Sequence, residues 1–310
     1  MSKNFFRIAA GVVLVLILAL SSTTQAFAGK PTPPPPTPST TPTPPPIPPG
    51  MRAGLRASDY GISPWPSPTW WVNSISSMAS RFPGSTGSSI LVVVEIDGMK
   101  GPNCWAHFPN PDGGTYPGVR FDSTDKFEED LIAFDQNGIK AWVQVEPSAC
   151  SMSMLIDLVL RQYSHHPSVI GFGLDDEWYL NKSYRNGKAV TDAEAQAWVQ
   201  QVRTFNPGYQ VFLKHWIAAN MPPTYRTGLV FVDDSQGFRT LSAMVTEFTA
   251  WGQKFTPSPV GFQFGYASDR SWWSKLSNPP KDIGNAILSK VPNTMDLYWV
   301  DFTAYEIWPP

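Results

Sequence analysis

Short apolar runs alternate with amphipathic stretches along most of this chain, and this alternation restricts its possible folds more than any other feature. Eight runs have the length and composition of strands: Asp59–Ser63, Ile90–Ile96, Ala141–Glu146, Val169–Glu177, Val211–Trp216, Leu229–Asp233, Val260–Phe264 and Leu297–Asp301. Strands that are each followed by a helix form a parallel sheet, because the chain must cross back before the next strand begins. Eight such units predict a single (β/α)8 barrel. A doubly wound open sheet is the alternative, but no glycine-rich phosphate-binding loop follows the first two strands.

Helical patterns fill most intervals between these strands. They cover Thr69–Arg81, Thr124–Asn137, Met152–Tyr163, Asp192–Phe205, Arg239–Gly252, Ser271–Leu276 and Ile283–Ser289. Ser123 is a candidate N-cap and Gly138 a candidate stop for the second helix, while Thr191 and Glu194 have capping-box spacing. The connection Ile217–Gly228 has no room for a full helix.

The first fifty residues differ from the rest of the chain. Residues 1–28 predict a signal peptide, with Lys3 and Arg7 before the apolar run Ile8–Leu20 and a small-x-small cleavage site at Ala26–Ala28. That run is short for a membrane span, although an uncleaved anchor remains the alternative. Residues 29–50 predict an extended Pro/Thr-rich linker, and residues 51–310 a catalytic domain. We expect a secreted monomer with no stable membrane insertion after cleavage.

The net charge limits the classes of partner, and the cysteine content bears on disulfide formation. The net charge of −2 provides no basic surface, so a nucleic-acid partner is not expected. Cys104 and Cys150 are the two cysteines, and in an oxidising compartment they predict one disulfide, with two separate thiols as the alternative.

The fourth predicted strand carries the strongest functional signal. Side chains alternate between the two faces of a strand, so the sequence divides into two sets. Ile170, Phe172 and Leu174 are expected beneath the helices, whereas Gly171, Gly173, Asp175 and Glu177 are expected to face the barrel axis. Active sites of this fold lie at the carboxyl ends of the strands, where Asp175 and Glu177 fall. A salt-bridged barrel end is the structural alternative.

The same parity identifies other inward polar or aromatic residues. These are Glu95, Asp97, Gln144, Glu146, Lys214, Trp216, Asp233 (or Asp234 if the register slips), Gln263, Trp299 and Asp301. Loops after the strands add aromatic and histidine side chains suited to sugar contacts: Trp65, Trp105, His107, Trp178, Tyr179 and Tyr266. Together they predict an acidic, aromatic mouth that binds a polysaccharide or oligosaccharide.

Paired carboxylates at such a mouth fit the cleavage of glycosidic bonds. One carboxylic acid must protonate the leaving oxygen, and a second carboxylate must act as nucleophile, base or electrostatic support. Neighbouring carboxylates also raise the pKa of one member, which keeps it protonated. We expect Glu177 to be the acid, Glu146 and Asp175 its leading partners, and Asp233 the next.

The segment Gly173–Tyr179 resembles the end of the strand-4 signature of family 18 glycoside hydrolases, the chitinase-like (β/α)8 enzymes. The resemblance implies that Asp175 is the supporting carboxylate and Glu177 the general acid. Trp299 resembles the sugar-platform tryptophan of that family. The chain departs from the pattern at Gln144–Pro147, where Ser-x-Gly-Gly is absent, and at Val232–Asp234, where the Tyr-Asp pair is absent. These departures argue against chitin as the substrate.

Two further departures lie elsewhere in the sequence. Phe172 or Gly173 replaces the earlier aspartate of the family 18 strand, and Gln263 stands where the largest clan of glycosidase barrels has a nucleophilic glutamate. A glycosidase of another kind, with Glu146 in a two-carboxylate site, therefore remains open.

Three other functions compete with this hypothesis. A carbohydrate-binding barrel without turnover would use the same mouth, and Lys214 at a strand end could form a Schiff base, as in aldolase-type barrels. A metal hydrolase is not expected, because His107 and His215 lack the spacing of metal ligands, although an all-carboxylate site for a hard cation stays open. We expect no cofactor and no metal.

Overall fold

The computed structural model describes residues 45–98 and 103–310. The predicted signal peptide and residues 29–44 of the predicted linker lie outside the described residues. Ile47, near the end of that linker, packs against the hydrophobic core of the barrel. Within the two described ranges, no helix is both long and apolar enough to cross a membrane.

Eight parallel strands close into a barrel, which confirms the predicted (β/α)8 fold. They are β1 (Arg52–Ala57), β2 (Thr86–Ile96), β5 (Lys140–Val145), β6 (Val169–Asp175), β7 (Gln210–Lys214), β8 (Leu229–Asp233), β9 (Val260–Phe264) and β10 (Thr294–Trp299). Each strand pairs with the one that follows it in this series of eight. The first strand, β1, closes the barrel by pairing with both β2 and β10. Between β2 and β5, the short strand β3 (Cys104–Ala106) runs antiparallel to β2 and pairs with β4 (Val119–Phe121).

Helices cover the outside of the barrel. They are α1 (Pro68–Ala79), α2 (Glu128–Asn137), α3 (Met152–Tyr163), α4 (Asp192–Phe205), α5 (Leu241–Phe255), α6 (Arg270–Trp273), α7 (Pro279–Leu288) and α8 (Ala304–Ile307). The predicted bounds of α3 and α4 are confirmed, as is the capping box of Thr191 and Glu194. The connection from β7 to β8 holds only a 3-10 turn, Ala218–Asn220, as its length predicted.

The second helix ends as predicted but starts later. Gly138 has a φ of 68°, a left-handed conformation that favours glycine and stops the helix. The expected N-cap Ser123 is wrong, because the Asp125 side chain accepts hydrogen bonds from the backbone of Phe127 and Glu128. The helix therefore begins at Glu128.

The first strand was wrongly placed at Asp59–Ser63, because β1 is Arg52–Ala57 and the predicted segment follows it. Arg52 and Arg56, four residues apart on one face of β1, obscure its apolar pattern. Arg52 faces the barrel interior, where its guanidinium bonds to Asp296 at 2.6 Å. Arg56 has the same parity and lies at the carboxyl end of the barrel. This correction adds a buried cation to the site.

Glycines of β6 make room for aromatic rings inside the barrel. An added Cβ at Gly173 would lie 2.1 Å from Cζ of Phe212, and one at Gly171 would lie 2.5 Å from Trp142. The interior cluster comprises Ile90, Trp142, Phe212, Val230, Val232 and Tyr298. Ile170 packs against this cluster and not beneath the helices as expected, because the register of β5 and β6 shifts next to it.

The disulfide prediction is confirmed. Cys104 on β3 is bonded to Cys150 in the loop after β5, with the two Cα atoms 6.5 Å apart. Both cysteines are buried. The bond fastens the short β3–β4 extension to the loop after the neighbouring barrel strand.

Candidate active site

A cavity of about 460 Å³ opens at the carboxyl ends of the strands. Eight of the residues predicted to form the site line it: Glu95, Asp97, Trp105, Glu146, Asp175, Glu177, Lys214 and Tyr266. Trp178, from the predicted loop set, and Asp234, the register alternative to Asp233, line it as well. Other lining residues were missed by the sequence reasoning, among them Arg56, Tyr60, Gln236 and Phe302.

A buried lysine bridges two aspartates at the cavity. The Nζ atom of Lys214 lies 2.7 Å from Oδ2 of Asp175 and 2.8 Å from Oδ2 of Asp234. Burial alone would lower the pKa of Lys214, but the two carboxylates raise it above its ordinary value. The Oδ1 atoms of both aspartates are buried and have no hydrogen-bond partner among the described residues. Each aspartate therefore has one buried oxygen without a hydrogen-bond partner in the described ranges.

Glu177 has a carboxyl group that is free to react. It lies on the 3-10 turn Asp176–Trp178, which directly follows β6 and turns its side chain to the cavity. Within the described ranges it makes no hydrogen bond or ion pair. Burial, and next the charge of Asp175, raises the pKa of Glu177 to about 7. The group can hold a proton near neutral pH and release it to a bound molecule.

Glu146, at the end of β5, is engaged on both oxygens. Its Oε1 accepts the hydroxyl of Tyr60 at 2.5 Å and lies 3.8 Å from Nη2 of Arg56, and its Oε2 faces the Ile96 amide at 3.5 Å. Burial, followed by the charge of Asp175, raises the pKa of Glu146 to about 8. Both oxygens of Glu146 thus have polar neighbours, whereas each of the two aspartates has one oxygen without a hydrogen-bond partner in the described part of the chain.

Asp301 was expected to line the cavity, but it pairs with the guanidinium of Arg56 instead. Its Oδ1 lies 2.7 Å from Nη1 of Arg56, and its Oδ2 accepts the backbone and hydroxyl of Ser58 at 2.6 Å. Arg56 in turn lies under two aromatic rings at the mouth, with its Cζ 5.1 Å from the Tyr60 centroid and 5.4 Å from the Phe302 centroid. This chain of contacts positions Tyr60 and Phe302, which form an aromatic rim at the mouth of the cavity.

The structure places Trp299 away from the cavity. Leu297 and Trp299 belong to the core between barrel and helices, whereas Tyr298 faces the barrel interior. The indole of Trp299 is buried, packs edge-on against Trp273 and donates to Thr303 at 2.9 Å. It is inaccessible to a sugar, so the expected platform is not present at this residue.

Asp233 also lies on the outer face of its strand, with the parity of Phe231 in the outer core. It accepts the Ser235 amide at 2.8 Å, and burial raises its pKa far above the ordinary value. The next residue, Asp234, has the inward parity and reaches Lys214. Asp234, which the sequence offered as the alternative to Asp233, is thus the residue that lines the cavity.

The remaining predicted residues lie around the cavity and do not line it. Gln144 and Gln263 are buried inside the barrel, and Gln263 accepts the Tyr266 hydroxyl at 3.3 Å. Tyr179 lies against α4, where its hydroxyl donates to Glu194 at 2.9 Å. His107 is buried behind Glu95.

Trp216 lines an adjoining cavity of about 300 Å³, which also contacts Glu177 and Asp234. The free carboxyl of Glu177 therefore faces two neighbouring spaces.

Comparison with known proteins gives the fold. No family model matches the chain, and no curated protein matches it. Among solved structures, a candidate alpha-L-fucosidase from Bacteroides thetaiotaomicron is similar at a TM-score of 0.50 and 10% identity, over 84% of this chain and 93% of that one. At this identity the likeness supports the barrel fold alone, and the local resemblance to family 18 is not shown.

Two weaker similarities carry no further argument. A beta-1,4-D-mannanase from Cryptopygus antarcticus has a TM-score of 0.47 at 12% identity, over 81% of this chain and 84% of that one. A beta-glucuronidase from an uncultured Clostridium species has a TM-score of 0.46 at 8% identity, over 82% of this chain. The matched region spans 44% of that glucuronidase.

Proposed function

We propose that this protein is an exported glycoside hydrolase that cleaves O-glycosidic bonds in a polysaccharide or oligosaccharide. The observation that carries the proposal is the unpaired carboxyl of Glu177, with its pKa raised to about 7, at the cavity that also holds Asp175, Lys214 and Asp234. A solved structure with a similar barrel is named as a candidate alpha-L-fucosidase. The site chemistry, however, is the stronger support.

Glu177 acts as the general acid. The bond between the anomeric carbon and the glycosidic oxygen breaks, and the leaving oxygen takes the proton of Glu177. Water then adds its hydroxyl to the anomeric carbon, and its remaining proton restores the acid. A carboxyl with an ordinary pKa would be ionised near neutral pH and could not start this cycle.

Asp175 acts as the supporting carboxylate. Its Oδ1 has no hydrogen-bond partner among the described residues, whereas both oxygens of Glu146 are engaged. The single ammonium of Lys214 faces two aspartates, so the ionised group of three carries a net negative charge. Such a charge stabilises the positive, oxocarbenium-like transition state of glycoside cleavage. Asp234 contributes to the same field.

The size and lining of the cavity suit a carbohydrate. Its volume of about 460 Å³ falls within the range of small-molecule sites. Trp105, Trp178, Tyr266 and Phe302 supply apolar faces for the C–H groups of a sugar ring. The carboxylates among them supply acceptors for its hydroxyls.

Export rests on the sequence and on the disulfide. Residues 1–28 have the pattern of a signal peptide but lie outside the described residues. The bond between Cys104 and Cys150 is of a kind that persists in oxidising compartments. An extracellular site fits a polymeric substrate that is too large to import.

A Schiff base on Lys214 is the less favoured chemistry. Attack on a carbonyl requires the neutral amine, whereas Asp175 and Asp234 hold Lys214 as the ammonium ion. A binding barrel without turnover would explain the aromatic lining, but it gives no role to a free acid with a raised pKa.

Release of reducing sugar tests the proposal. The purified protein is incubated with β-glucans, chitin, xylan, mannan and α-glucans, alongside Glu177→Gln and, as control, the exposed Glu129→Gln. We expect release from one class, its loss in Glu177→Gln and its retention in Glu129→Gln. Binding of a polysaccharide by both wild type and Glu177→Gln without release from any glycan would contradict a hydrolase. Turnover lost in Lys214→Ala but kept in Glu177→Gln would contradict the acid assignment.

A further inference from the structure

Three side chains from separate segments converge beside the cavity. Asp59 follows β1, Glu95 lies on β2, and His107 follows β3. One potential ligand atom of each lies within 4.8 Å of the others. We propose that these three residues bind one divalent transition-metal ion, with Zn²⁺ as the best chemical match. This inference does not depend on the proposed hydrolase activity.

The contact between His107 and Glu95 has the spacing of two ligands on one ion. Nε2 of His107 lies 3.2 Å from Oε2 of Glu95, yet this buried nitrogen has no partner in hydrogen-bond geometry among the described residues. Tetrahedral zinc with ligand distances of about 2.0–2.2 Å has ligands about 3.3–3.6 Å apart. The separation of these two atoms is therefore close to the distance between two ligands of one tetrahedral zinc ion, although the atoms do not form a hydrogen bond with each other.

The other polar atoms of these ligands are already anchored. Nδ1 of His107 lies 3.1 Å from Oδ2 of Asp122, whose Oδ1 accepts the Trp105 indole at 2.8 Å. A carboxylate behind a histidine commonly orients that histidine toward a metal. Oε1 of Glu95 accepts the backbone N–H of Asp59 at 2.9 Å, which leaves Oε2 for the ion. His107 is only 1% exposed, so its orientation is fixed by packing.

The donor set selects the class of ion. One imidazole nitrogen and two carboxylate oxygens suit Zn²⁺ and similar first-row ions, whereas Ca²⁺ prefers six to eight oxygen ligands. The side chain of Asp59 is 37% exposed, so an ion and a water ligand can reach the site from solvent. A bound ion would join the β1–α1 connection to the β3 wall of the cavity.

The ammonium of Lys126 would compete with a metal ion for the carboxylate of Asp59. Its ammonium contacts Asp59 and lies 4.5 Å from the centroid of the Trp65 ring. Metal binding must share or displace this contact, because both cations use the lone pairs of Asp59. Removing the ammonium in Lys126→Met should therefore tighten metal binding, an effect opposite to that of losing a ligand.

Zinc binding by the purified chain tests the site. The described residues contain a second candidate group, Glu128, His165 and His166, so the parent for all measurements is His165→Ala, which removes the exposed histidine of that group. Chelator-treated parent is titrated with Zn²⁺ by calorimetry and analysed for bound metal after dialysis, with Mg²⁺ and Ca²⁺ as comparison ions. Co²⁺ is bound in place of Zn²⁺ for its visible spectrum.

We expect one Zn²⁺ per chain, a tetrahedral Co²⁺ spectrum in the parent, and tighter binding in Lys126→Met. His107→Gln should lose the ion, and Asp122→Asn should weaken it by about 10–100-fold. Zinc stoichiometry unchanged in His107→Gln would overturn the proposal. So would the absence of binding in both the parent and Lys126→Met, two chains that retain all three ligands.

Discussion

Lys214 holds Asp175 by an ion pair of 2.7 Å within the cavity. Asp175 ends β6, and Glu177 follows two residues later on the turn that leaves the strand. The ion pair thus holds in place the carboxylate whose charge helps to raise the pKa of the proposed acid.

Loss of the Lys214 ammonium should destabilise the fold. In Lys214→Met, Asp175 and Asp234 remain buried without their counter-ion, and breaking a buried pair in this way costs about 3–5 kcal/mol. Urea denaturation at neutral pH measures the free energy of unfolding. The triple variant with Asp175→Asn and Asp234→Asn should recover most of the loss, and a cost below about 1 kcal/mol in Lys214→Met would contradict the buried cluster.

Hydrolysis should decline as the pH rises through about 7. Burial and the charge of Asp175 raise the pKa of Glu177 to about 7, and only the protonated form can donate to the leaving oxygen. The pH profile of kcat/KM reports the ionisation of the free protein and should show this limb on its alkaline side. The residual activity of Glu177→Gln should lack the limb, whereas an unchanged alkaline limb in that variant would assign it to another group.

Glu146→Gln should change how stability depends on pH. Burial raises the pKa of Glu146 to about 8, above its ordinary 4.5, so the folded state holds a proton that the unfolded chain releases. The resulting stability is present below about pH 4.5 and is lost as the pH rises through about 8. The Tm of Glu146→Gln relative to wild type should therefore be higher at pH 8 than at pH 5. An equal difference at both values would refute the raised pKa.

Gly173→Ala should strain the barrel interior. The new Cβ would lie 2.1 Å from Cζ of Phe212, and overpacking of this kind costs about 1–3 kcal/mol. Chemical denaturation measures the loss. Phe212→Leu in the same chain should restore part of it by vacating the space, and strain at Gly173 is not the cause if the two substitutions destabilise additively.

The alternation of strands and helices was sufficient to predict the barrel, because hydrophobic periodicity directly reflects which faces are buried. It failed at β1, where Arg52 and Arg56 face the interior and are balanced by Asp296 and Asp301, partners more than two hundred residues away in the chain. Such compensation is invisible to a local pattern, so Arg56 was missed at the site.

Side-chain parity predicted the inward direction of Glu146, Asp175 and Lys214, since their strands are regular near their carboxyl ends. Ile90 faces the barrel interior and Glu95 lines the cavity, although the two residues have opposite parity along β2. Both can face inward because the register of β2 shifts between Val92 and Val94. On β8 and β10 the expected parity was reversed, which placed Asp233 and Trp299 outside the cavity. One residue of register exchanges the two faces of a strand, and sequence alone does not fix it.

The aromatic rim could not be predicted from local sequence. Tyr60 and Phe302 meet across the mouth with ring centroids 5.9 Å apart, and both rest on Arg56. They come from opposite ends of the domain and are brought together only when β1 pairs with β10.

A comparison of two leaving groups, on the sugar that the protein accepts, tests the proposed acid role of Glu177 most directly. Glu177→Gln and wild type are assayed on a dinitrophenyl glycoside, which leaves without protonation, and on an alkyl glycoside, which requires it. We predict that the variant loses about 10²–10⁴-fold in kcat/KM on the alkyl glycoside and little on the dinitrophenyl glycoside. Equal losses on both substrates, or none on either, would contradict Glu177 as the general acid.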